Sequence, residues 1–573
     1  MEKPARYIGG EVGSVIKQEY PLRVILSYPD VYEIGTGNQA VQIIYSLINH
    51  HSRVWAERAY CPWPDMSGLM RENGVPLFSL ESWEPVAGAD LWGFTLQHEL
   101  TYTNILDMLD LAGVPLHWKD RGDGDPLVFA GGPCASNPIP VARFFDFFII
   151  GDGEEVVPEM LRVCEAEKGT PRGELLKKLA GMEGIYVPAT PGLTRRAAVS
   201  ELDYSMIPLK PVIPSMAAVH DRATFEIMRG CTRGCRFCMA GNWYRPVRER
   251  PADDIQRAVT EMVAATGYEE ASLSSLSTTD YSCIQEVLAR LAQSMPRLTV
   301  SLPSLRVDPA AIRMAGCTSS RKGSITLAPE AGSQRLRDVI NKQVSGEDIQ
   351  EALAEAFRGG RTTVKLYFMI GLPTETEADL QGIIDIATAA RRIGRQEAAA
   401  GRVQINVSIA SFAPKAHTPF QWAGMNGREE LAGKHEFLRR NMPRKQIKLS
   451  LHDLEPSLVE SAIARGREET AGAIEAAWRA GAAFDAWSEH FNFEAWEAGF
   501  VAIGSGIEQE ATRSFALDAA LPWDDIDSRV DREFLLEENK KAESGEATLD
   551  CRWGPCGDCG VCEDELQMNL VKP

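Results

Sequence analysis

Two groups of cysteines are the residues whose type and spacing most clearly predict chemistry in this chain. Seven of the 12 cysteines are clustered, three of them within one short loop and four near the carboxyl end. The clustered residues are Cys231, Cys235 and Cys238, followed by Cys551, Cys556, Cys559 and Cys562. Thiolates bind zinc and iron–sulfur clusters, and clustered thiols in a chain without an export signal predict metal sites rather than disulfides.

The first group has the spacing Cys-x3-Cys-x2-Cys within RGCTRGCRFC. Three thiolates on a cubane iron–sulfur cluster leave its fourth iron open, and an open metal position can bind and activate a substrate. Gly230 and Gly234 permit the tight turns and exposed amides that surround cluster sulfides. The alternative is a zinc site with a distant fourth ligand, for which this spacing is unusual.

The second group lies in the glycine-rich stretch DCRWGPCGDCGVC. Its four thiolates predict a closed site that holds zinc or a second iron–sulfur cluster, and the spacing alone does not separate the two. This tail could fold over the site formed by the first group, or it could serve only as a structural clasp.

The elements that must position these groups follow from the hydrophobic pattern. Apolar runs alternate with helical periods and glycine turns over residues 22–167, which predicts a doubly wound, Rossmann-like parallel sheet. Such sheets bind ligands at the carboxyl ends of their strands. A proline-bearing stretch at residues 168–220 is interpreted as a connector.

Six further strand–helix units follow, beginning with ATFEIMRG and ending with VQINVSIASF. Because a complete eight-stranded barrel usually needs about 250 residues, we expect a partial (β/α)6 barrel. After about residue 445 the pattern becomes mostly helical. The predicted domains are therefore a Rossmann-like domain with its connector at 1–205, a partial barrel at 206–445, and a helical region with a cysteine-rich tail at 446–573.

Composition excludes some classes of protein. A length of 573 residues suggests three or four domains. The net charge of -20 argues against a generally basic surface for nucleic acid, although a local basic site remains compatible with it. The first residues have no apolar stretch typical of a signal peptide, and no apolar run is long enough to span a membrane, so we expect a cytoplasmic protein.

The first cysteine group and its setting resemble the radical S-adenosylmethionine (SAM) superfamily, whose signature is Cys-x3-Cys-x-aromatic-Cys. Phe237 supplies the aromatic residue, and the loop follows the first predicted barrel strand. The resemblance implies a [4Fe–4S] cluster held by Cys231, Cys235 and Cys238, with SAM chelated to the open iron. One electron, from a donor such as flavodoxin or ferredoxin, would then cleave SAM to methionine and a 5′-deoxyadenosyl radical.

Other strand ends resemble family motifs less closely. The segment LSSLST stands where many members carry Gly-Gly-Glu, and it lacks those glycines and that acid. The segment MIGLPTET resembles the family's fifth-strand motif, which passes the adenine. The cofactor-binding residues that the resemblance suggests are Phe237, Ser275, Ser277, Ser304, Glu330 and Gly371. For each isolated polar residue the alternative is a loop hydrogen bond, and no catalytic residue is identified.

The amino-terminal part resembles the radical SAM subfamily that carries a cobalamin-binding-like domain. The supporting segments are YPDVYEIG, LQHELTYTN, AGGPCASNP and GDGEE. The resemblance implies that cobalamin lies between the Rossmann-like sheet and the barrel mouth. The familiar Asp-x-His-x-x-Gly signature is absent near His50, His51, His98 and His117. Either cobalamin binds without a protein histidine, or the fold is kept without cobalamin.

His98 and Glu99 follow a predicted strand and could face such a ligand, or could form an ordinary loop contact. The predicted function is a radical SAM enzyme that abstracts hydrogen from, or methylates, an unactivated carbon, with methylcobalamin as a possible methyl donor. One alternative is sulfur insertion with the tail cluster as sulfur source. Another is a metal-stabilised binding protein without catalysis. The substrate is a small molecule, a peptide or RNA.

Overall fold

The first layer of the fold is a six-stranded sheet with the order β2-β1-β3-β4-β5-β6. The computed structural model describes residues 1–50, 53–317, 323–398, 403–562 and 566–572. The strands are β1 (Leu22–Tyr28), β2 (Val54–Tyr60), β3 (Leu91–Thr95), β4 (Leu127–Gly131), β5 (Phe147–Ile149) and β6 (Ile185–Tyr186). All neighbours are parallel except β5 and β6. The predicted doubly wound sheet is confirmed.

Helices cover both faces of this sheet. They are α1 (Tyr32–Gly35), α2 (Gln39–His50), α3 (Pro64–Asn73), α4 (Tyr102–Ala112), α5 (Gly153–Ala166) and α6 (Arg172–Leu179). The strand order reverses between β1 and β3, and ligands of such sheets bind in the crevice outside the carboxyl ends at this switch point. Helix α6 and strand β6 lie in the stretch interpreted as a connector and extend this layer.

The second part of the chain forms two parallel sheets, β12-β11-β8 and β13-β14-β15-β16, with a short β9–β10 ribbon beside them. After β7 (Thr194–Arg195), the strands are β8 (Ala223–Glu226), β9 (Met228–Arg229), β10 (Arg248–Glu249), β11 (Glu270–Ser274), β12 (Thr299–Ser301), β13 (Ile325–Glu330), β14 (Thr363–Ile370), β15 (Gln404–Ser411) and β16 (Ile447–Leu451). All six predicted barrel strands are present. β16 is an addition beyond the predicted boundary at residue 445, and no ladder joins β12 to β13 among the described residues.

The helices between these strands follow the apolar periods of the sequence. They are α7 (Met239–Trp243), α8 (Ala252–Thr266), α9 (Ile284–Ser294), α10 (Pro309–Cys317), α11 (Gln334–Val339), α12 (Gly346–Arg358), α13 (Glu377–Glu397) and α14 (Arg428–Asn441). Helices α12 and α13 each begin with a capping box, formed by Ser345 with Asp348 and by Thr376 with Asp379.

The carboxyl-terminal region is mostly helical, as predicted. Its elements are α15 (Leu454–Ala464), α16 (Thr470–Arg479), α17 (Phe493–Ala502), α18 (Ile507–Thr512), β17 (Ile526–Asp527) and α19 (Arg532–Ser544). β17 pairs with β7, and Trp487 donates to the carboxylate of Asp30 at 3.0 Å. One buried apolar cluster contains residues of all three parts of the chain, so the parts share a core. None of the described helices is long and apolar enough to cross a membrane.

Candidate functional site

The cysteine loop, residues 230–238, connects β9 to α7 and is shaped by two glycines. Gly230 has a φ of 90° and Gly234 a φ of 68°. A Cβ at Gly230 would lie 2.5 Å from the carbonyl oxygen of Pro246, so no other residue fits there. The backbone N–H of Gly241 donates to the Cys238 sulfur at 3.3 Å, which provides an amide donor at one of the three thiols.

The three thiols of the loop lie close enough to influence each other. Burial raises the pKa of Cys231 to about 11 and that of Cys238 to about 12, and the neighbouring Cys235 adds to both effects. The Cys231 and Cys238 thiols are therefore protonated at neutral pH, and metal binding there must release protons. Three soft sulfur donors converging from one loop fit an iron–sulfur cluster.

Glu330 is linked to the thiols through Lys342, a residue that the sequence analysis missed. The Lys342 Nζ lies 3.3 Å from a Glu330 carboxylate oxygen. Burial lowers the pKa of Lys342, but Glu330, Cys235 and Cys238 together raise it above its ordinary value. Glu330 ends β13 with a φ of 67°, next to an irregularity in the β13–β14 ladder. The strand end thus presents a carboxylate and an ammonium group beside the cysteine loop.

The predicted serines lie near the same loop, and their polar atoms are largely engaged. The Ser277 hydroxyl donates to the Asp280 carboxylate at 2.6 Å, and Asp280 accepts from Arg233 of the cysteine loop at 2.9 Å. The carbonyl of Ser304 accepts from the backbone of Thr278 at 3.0 Å. Ser275 lines a cavity that lies between the first sheet and the barrel. Asp280 was not among the predicted residues.

Phe237 and Gly371 are placed by packing around the ends of β13 and β14. Phe237 packs with Met369 against a small buried cluster that includes Ala331 and Leu372. Gly371 has a φ of 80°, and its N–H donates to the Glu375 carboxylate at 3.0 Å. Phe237 is therefore brought to the strand end that carries Gly371, while the Gly371 amide already has a partner in this chain.

A cavity of about 420 Å³ lies between the first sheet and the barrel. Its walls are the carboxyl ends of β1, β3, β4 and β5 on one side and residues of β8, β9 and β11 on the other. Lining residues from these elements and from the loop after β5 include Ser27, Thr95, Gly131, Gly151, Glu226, Arg229 and Ser274. No histidine of the described chain is among them. The cavity combines the ligand-binding edges of both sheets, where the resemblance places a second cofactor.

Arg229 connects this cavity to the cysteine loop, since only Gly230 separates it from Cys231. Its guanidinium lies 3.1 Å from Asp152, 2.5 Å from Glu154 and 2.7 Å from Glu226. The carboxylates raise the pKa of Arg229 well above its usual range, although burial opposes this. All four charged side chains line the cavity. The wall is thus an ion cluster formed by both domains.

His98 and Glu99 do not line the cavity; they belong to a separate, partly buried ion cluster. The Lys415 Nζ lies 2.7 Å from Glu99 and 2.8 Å from Glu460, and His98 lies 3.6 Å from Glu460. His98, Glu99 and Glu460 have the composition of a metal site. However, Lys415 already supplies the cation, and the His98 Nδ1 accepts from the Leu100 N–H at 3.2 Å. The structure therefore favours an ion cluster here.

His117, another histidine named for the first domain, does not line the cavity either. His117 pairs with Glu475 at 2.8 Å. The side chain of His50 and the whole of His51 lie outside the described part of the chain.

The tail cysteines lie near the cysteine loop rather than apart from it. Cys556 and Cys562 are exposed, while Cys551 and Cys559 are half-buried. Burial raises the pKa of Cys551, and the nearby Cys559 and Cys562 raise it further, against the effect of Arg245. The Arg245 guanidinium lies 5.1 Å from the Phe534 ring centre and is also close to Gly234 of the cysteine loop. The two thiol groups thus share neighbours.

The chain joins a doubly wound sheet to a partial parallel barrel, and three thiols lie in the loop beside the first barrel strand. This is the architecture expected of a radical SAM protein with an amino-terminal domain. Two family models match the chain: "Radical SAM proteins, N-terminal" over residues 40–188 and "Radical SAM superfamily" over residues 225–387. Together they span slightly more than half of it. The chain belongs to the radical SAM superfamily, which implies an enzyme that uses a [4Fe–4S] cluster and SAM.

Individual relatives are more distant. An uncharacterised protein of Methanocaldococcus jannaschii is 28% identical over 453 residues, which cover 78% of this chain and 89% of the relative. A tRNA-2-methylthio-N(6)-dimethylallyladenosine synthase of Sorangium cellulosum is 24% identical over 39% of this chain and 53% of the relative. The match therefore spans about half of that synthase.

Among solved structures, the chain is similar to the radical SAM methyltransferase TsrM from Kitasatospora setae, determined with cobalamin and a [4Fe–4S] cluster bound. The TM-score is 0.48 at 13% identity, with 68% of this chain and 74% of the other covered.

Proposed function

We propose that this enzyme binds its cluster through Cys231, Cys235 and Cys238 and uses the cavity between the first sheet and the barrel for a second cofactor, with which it modifies an unactivated carbon. The observation that carries the proposal is the position of Arg229. It lines the cavity and stands two residues before Cys231. Chemistry started at the cysteine loop would therefore act next to the ligand that fills the cavity.

The chain's own residues would hold SAM against the cluster. When bound, the cluster supplies one electron for cleavage of the SAM sulfonium bond. Ser275 and Ser277 follow β11, and Ser304 lies in the loop after β12, so their hydroxyls and carbonyls can accept from an amino group. Glu330 could accept a hydrogen bond from a ribose hydroxyl, while Lys342 balances its negative charge. Phe237 and Gly371 would flank the adenine.

Cobalamin is the second cofactor that we favour, and it would supply a methyl group for transfer. Glycines at the ends of β4 and β5, among them Gly131 and Gly151, line one cavity wall and carry no side chain that would fill it. Because no described histidine lines the cavity, the chain would offer cobalt no imidazole there. Methylation of an unactivated carbon is then the proposed reaction, and the substrate is a small molecule, a peptide or RNA.

Sulfur insertion is the second candidate function, and the position of the tail favours it. Cys551 is flanked by Asp550 and Arg552, which both contact residues around the cysteine loop. A tail cluster at this place could be consumed as a sulfur source.

The test is anaerobic reconstitution followed by measurement of iron, sulfide and cobalamin per chain and of 5′-deoxyadenosine formed with SAM and a reductant. The proposal expects 5′-deoxyadenosine and about one bound cobalamin. Full SAM cleavage without bound cobalamin, together with product formation that requires the tail, would favour sulfur insertion. A loaded chain that forms no 5′-deoxyadenosine would contradict both.

A further inference from the structure

We propose that residues 546–552, here called the brace segment, hold the cysteine loop in place, so that metal binding at the tail cysteines stabilises the cluster at the loop. This inference rests on the proposed function, because it takes both thiol groups as metal sites. It goes further by assigning a role to a segment that contains no predicted ligand except Cys551. The contacts of the brace segment fall on alternate residues.

The first of these contacts is made through Asn341. The Asn341 side-chain amide donates to the carbonyl of Gly234 in the cysteine loop at 3.1 Å. The same side chain donates to the Thr548 carbonyl at 3.1 Å and accepts from the Thr548 N–H at 3.1 Å. Gln343 adds a second donor to the Thr548 carbonyl at 2.6 Å. One asparagine thus binds the loop and the brace segment at once.

The second contact is made by Arg236, which lies between two of the loop cysteines and is fully buried. Its guanidinium donates to the Glu546 carbonyl at 2.6 Å and to the Glu538 carboxylate at 3.1 Å. It also donates to the Val339 carbonyl at 3.0 Å. A buried guanidinium left without such partners is costly, so the loop conformation depends on this packing.

The third contact is an ion pair made by Asp550, the residue directly before the first tail cysteine, Cys551. The Arg233 Nε of the cysteine loop lies 3.2 Å from the Asp550 carboxylate, and Asp550 is 5% exposed. Arg233 also binds Asp280, whose carbonyl accepts from Arg552. Asp550 and Arg552 flank Cys551 directly. The position of Cys551 is therefore set by groups that also hold the cysteine loop.

These contacts predict that metal bound at the tail cysteines and the cluster at the cysteine loop stabilise each other. The tail is glycine-rich and its Cys556 and Cys562 are exposed, so bound metal supplies much of the order in this segment. An ordered tail keeps Asp550 and Thr548 against the loop, which slows the opening through which the loop cluster loses iron. Coupling between two binding sites is reciprocal and typically changes affinity by about fivefold or more.

The experiment is a double-mutant cycle on the reconstituted full-length chain. One arm is C556S/C559S, which removes two ligands of the tail site, one exposed and one half-buried. The other arm is D550N, which breaks the ion pair with Arg233. The measured quantity is the rate at which a chelator destroys the SAM-responsive part of the electron paramagnetic resonance signal, since only a cluster with an open iron binds SAM. D253N, at an exposed partner of Arg290, is the matched control.

We expect C556S/C559S and D550N each to lose the SAM-responsive signal at least about fivefold faster than the wild type. The combined variant should lose it no faster than the faster of the two, because both changes break the same chain of contacts between the tail and the loop. D253N should match the wild type. Wild-type rates in C556S/C559S, or effects of the two arms that multiply, would overturn the proposal. Metal analysis of C231A/C235A/C238A, which lacks the loop cluster, separates the failures. A tail without metal in this variant refutes the tail site itself, whereas a tail that holds metal, together with wild-type rates of cluster loss in C556S/C559S, refutes only the brace.

Discussion

The Arg229 guanidinium lies 3.1 Å from the Asp152 carboxylate, so the residue before the cysteine loop pairs with the residue that precedes α5 in the amino-terminal domain. Asp152 also pairs with the buried Arg248 at 2.7 Å. Arg229 and Arg248 hold the pKa of Asp152 well below its usual range, although burial opposes this. The loop that carries the thiols is thus fixed to the amino-terminal domain by charge as well as by packing.

Replacement of Arg229 should therefore destabilise the whole assembly. In R229Q, three poorly exposed carboxylates lose their shared cation, and removing one partner of a buried ion pair typically costs about 3–5 kcal/mol. R229K keeps the charge without the planar fork and should lose less. The free energy of unfolding in urea measures the effect. The surface pair partner Arg222 is the control, and R222Q should cost less than about 1 kcal/mol. Equal stability of R229Q and the wild type would contradict the ion cluster.

Loss of one loop thiol should remove the loop cluster. We expect C235A to lose its iron-dependent visible absorption from this site and its cleavage of SAM, because alanine offers no ligand. C164A is the matched control, since Cys164 is buried in the apolar core of the first domain and should keep both properties. Formation of 5′-deoxyadenosine at the wild-type rate by C235A would show that the ligand assignment is wrong.

The fold was largely predictable because its strands are continuous apolar runs. β1, β3 and β4 have almost wholly buried side chains, as parallel strands between helix layers require. β2 gives no comparable signal in the sequence, because Glu57 and Arg58 interrupt its apolar run. Both are buried and paired, Glu57 with Arg23 and Arg58 with Glu81, and such pairing across neighbouring segments is invisible in a local pattern.

The site was predictable only where its residues share one short segment. The cysteine loop was found from spacing, and both of its glycines have the predicted turn geometry. Lys342, Asp280 and Asp550 reach the same loop from distant parts of the chain, and single polar residues carry no spacing signal. His98 follows a strand, which left open whether it faces the cavity or forms an ordinary contact, and the structure pairs it with Glu460 of α15 in another cluster.

If cobalamin binds, its cobalt should carry no imidazole nitrogen from this chain. The reason is that no described histidine lines the cavity, and His98 and His117 are paired with carboxylates. Electron paramagnetic resonance of the Co(II) form is the measurement, with each histidine variant compared with the wild type. Nitrogen superhyperfine splitting that disappears when one histidine is replaced would reject this prediction.

Stability should fall as pH rises through the range in which Asp485 ionises. Burial raises the pKa of Asp485 to about 6, against donors from Thr103 at 2.6 Å and Trp496 at 2.9 Å. The folded chain then keeps this proton at a pH where the unfolded chain has lost it, so stability present below pH 4 is lost as pH rises to about 6.

D485N removes this titration, and the comparison isolates it. Between pH 5 and 7 the wild type should lose about 1 kcal/mol relative to D485N. Urea unfolding of both proteins at the two pH values measures the difference. A difference between wild type and variant that does not change with pH, or that changes in the opposite direction, would contradict the raised pKa.

The tail cysteines should hold an iron–sulfur cluster rather than zinc. The same chain already receives a cluster at the cysteine loop, and Arg233, Asp550 and Arg552 keep Cys551 beside that loop, where a second cluster could pass electrons or donate sulfur. Zinc would serve only as a clasp. The measurement compares the full chain with a chain ending at Asp550 after identical anaerobic reconstitution. We expect the shortened chain to lose about four irons and to keep the SAM-responsive signal of the loop cluster, although a chelator should destroy that signal faster than in the full chain. Unchanged iron with the loss of one zinc would show that the tail is a zinc site.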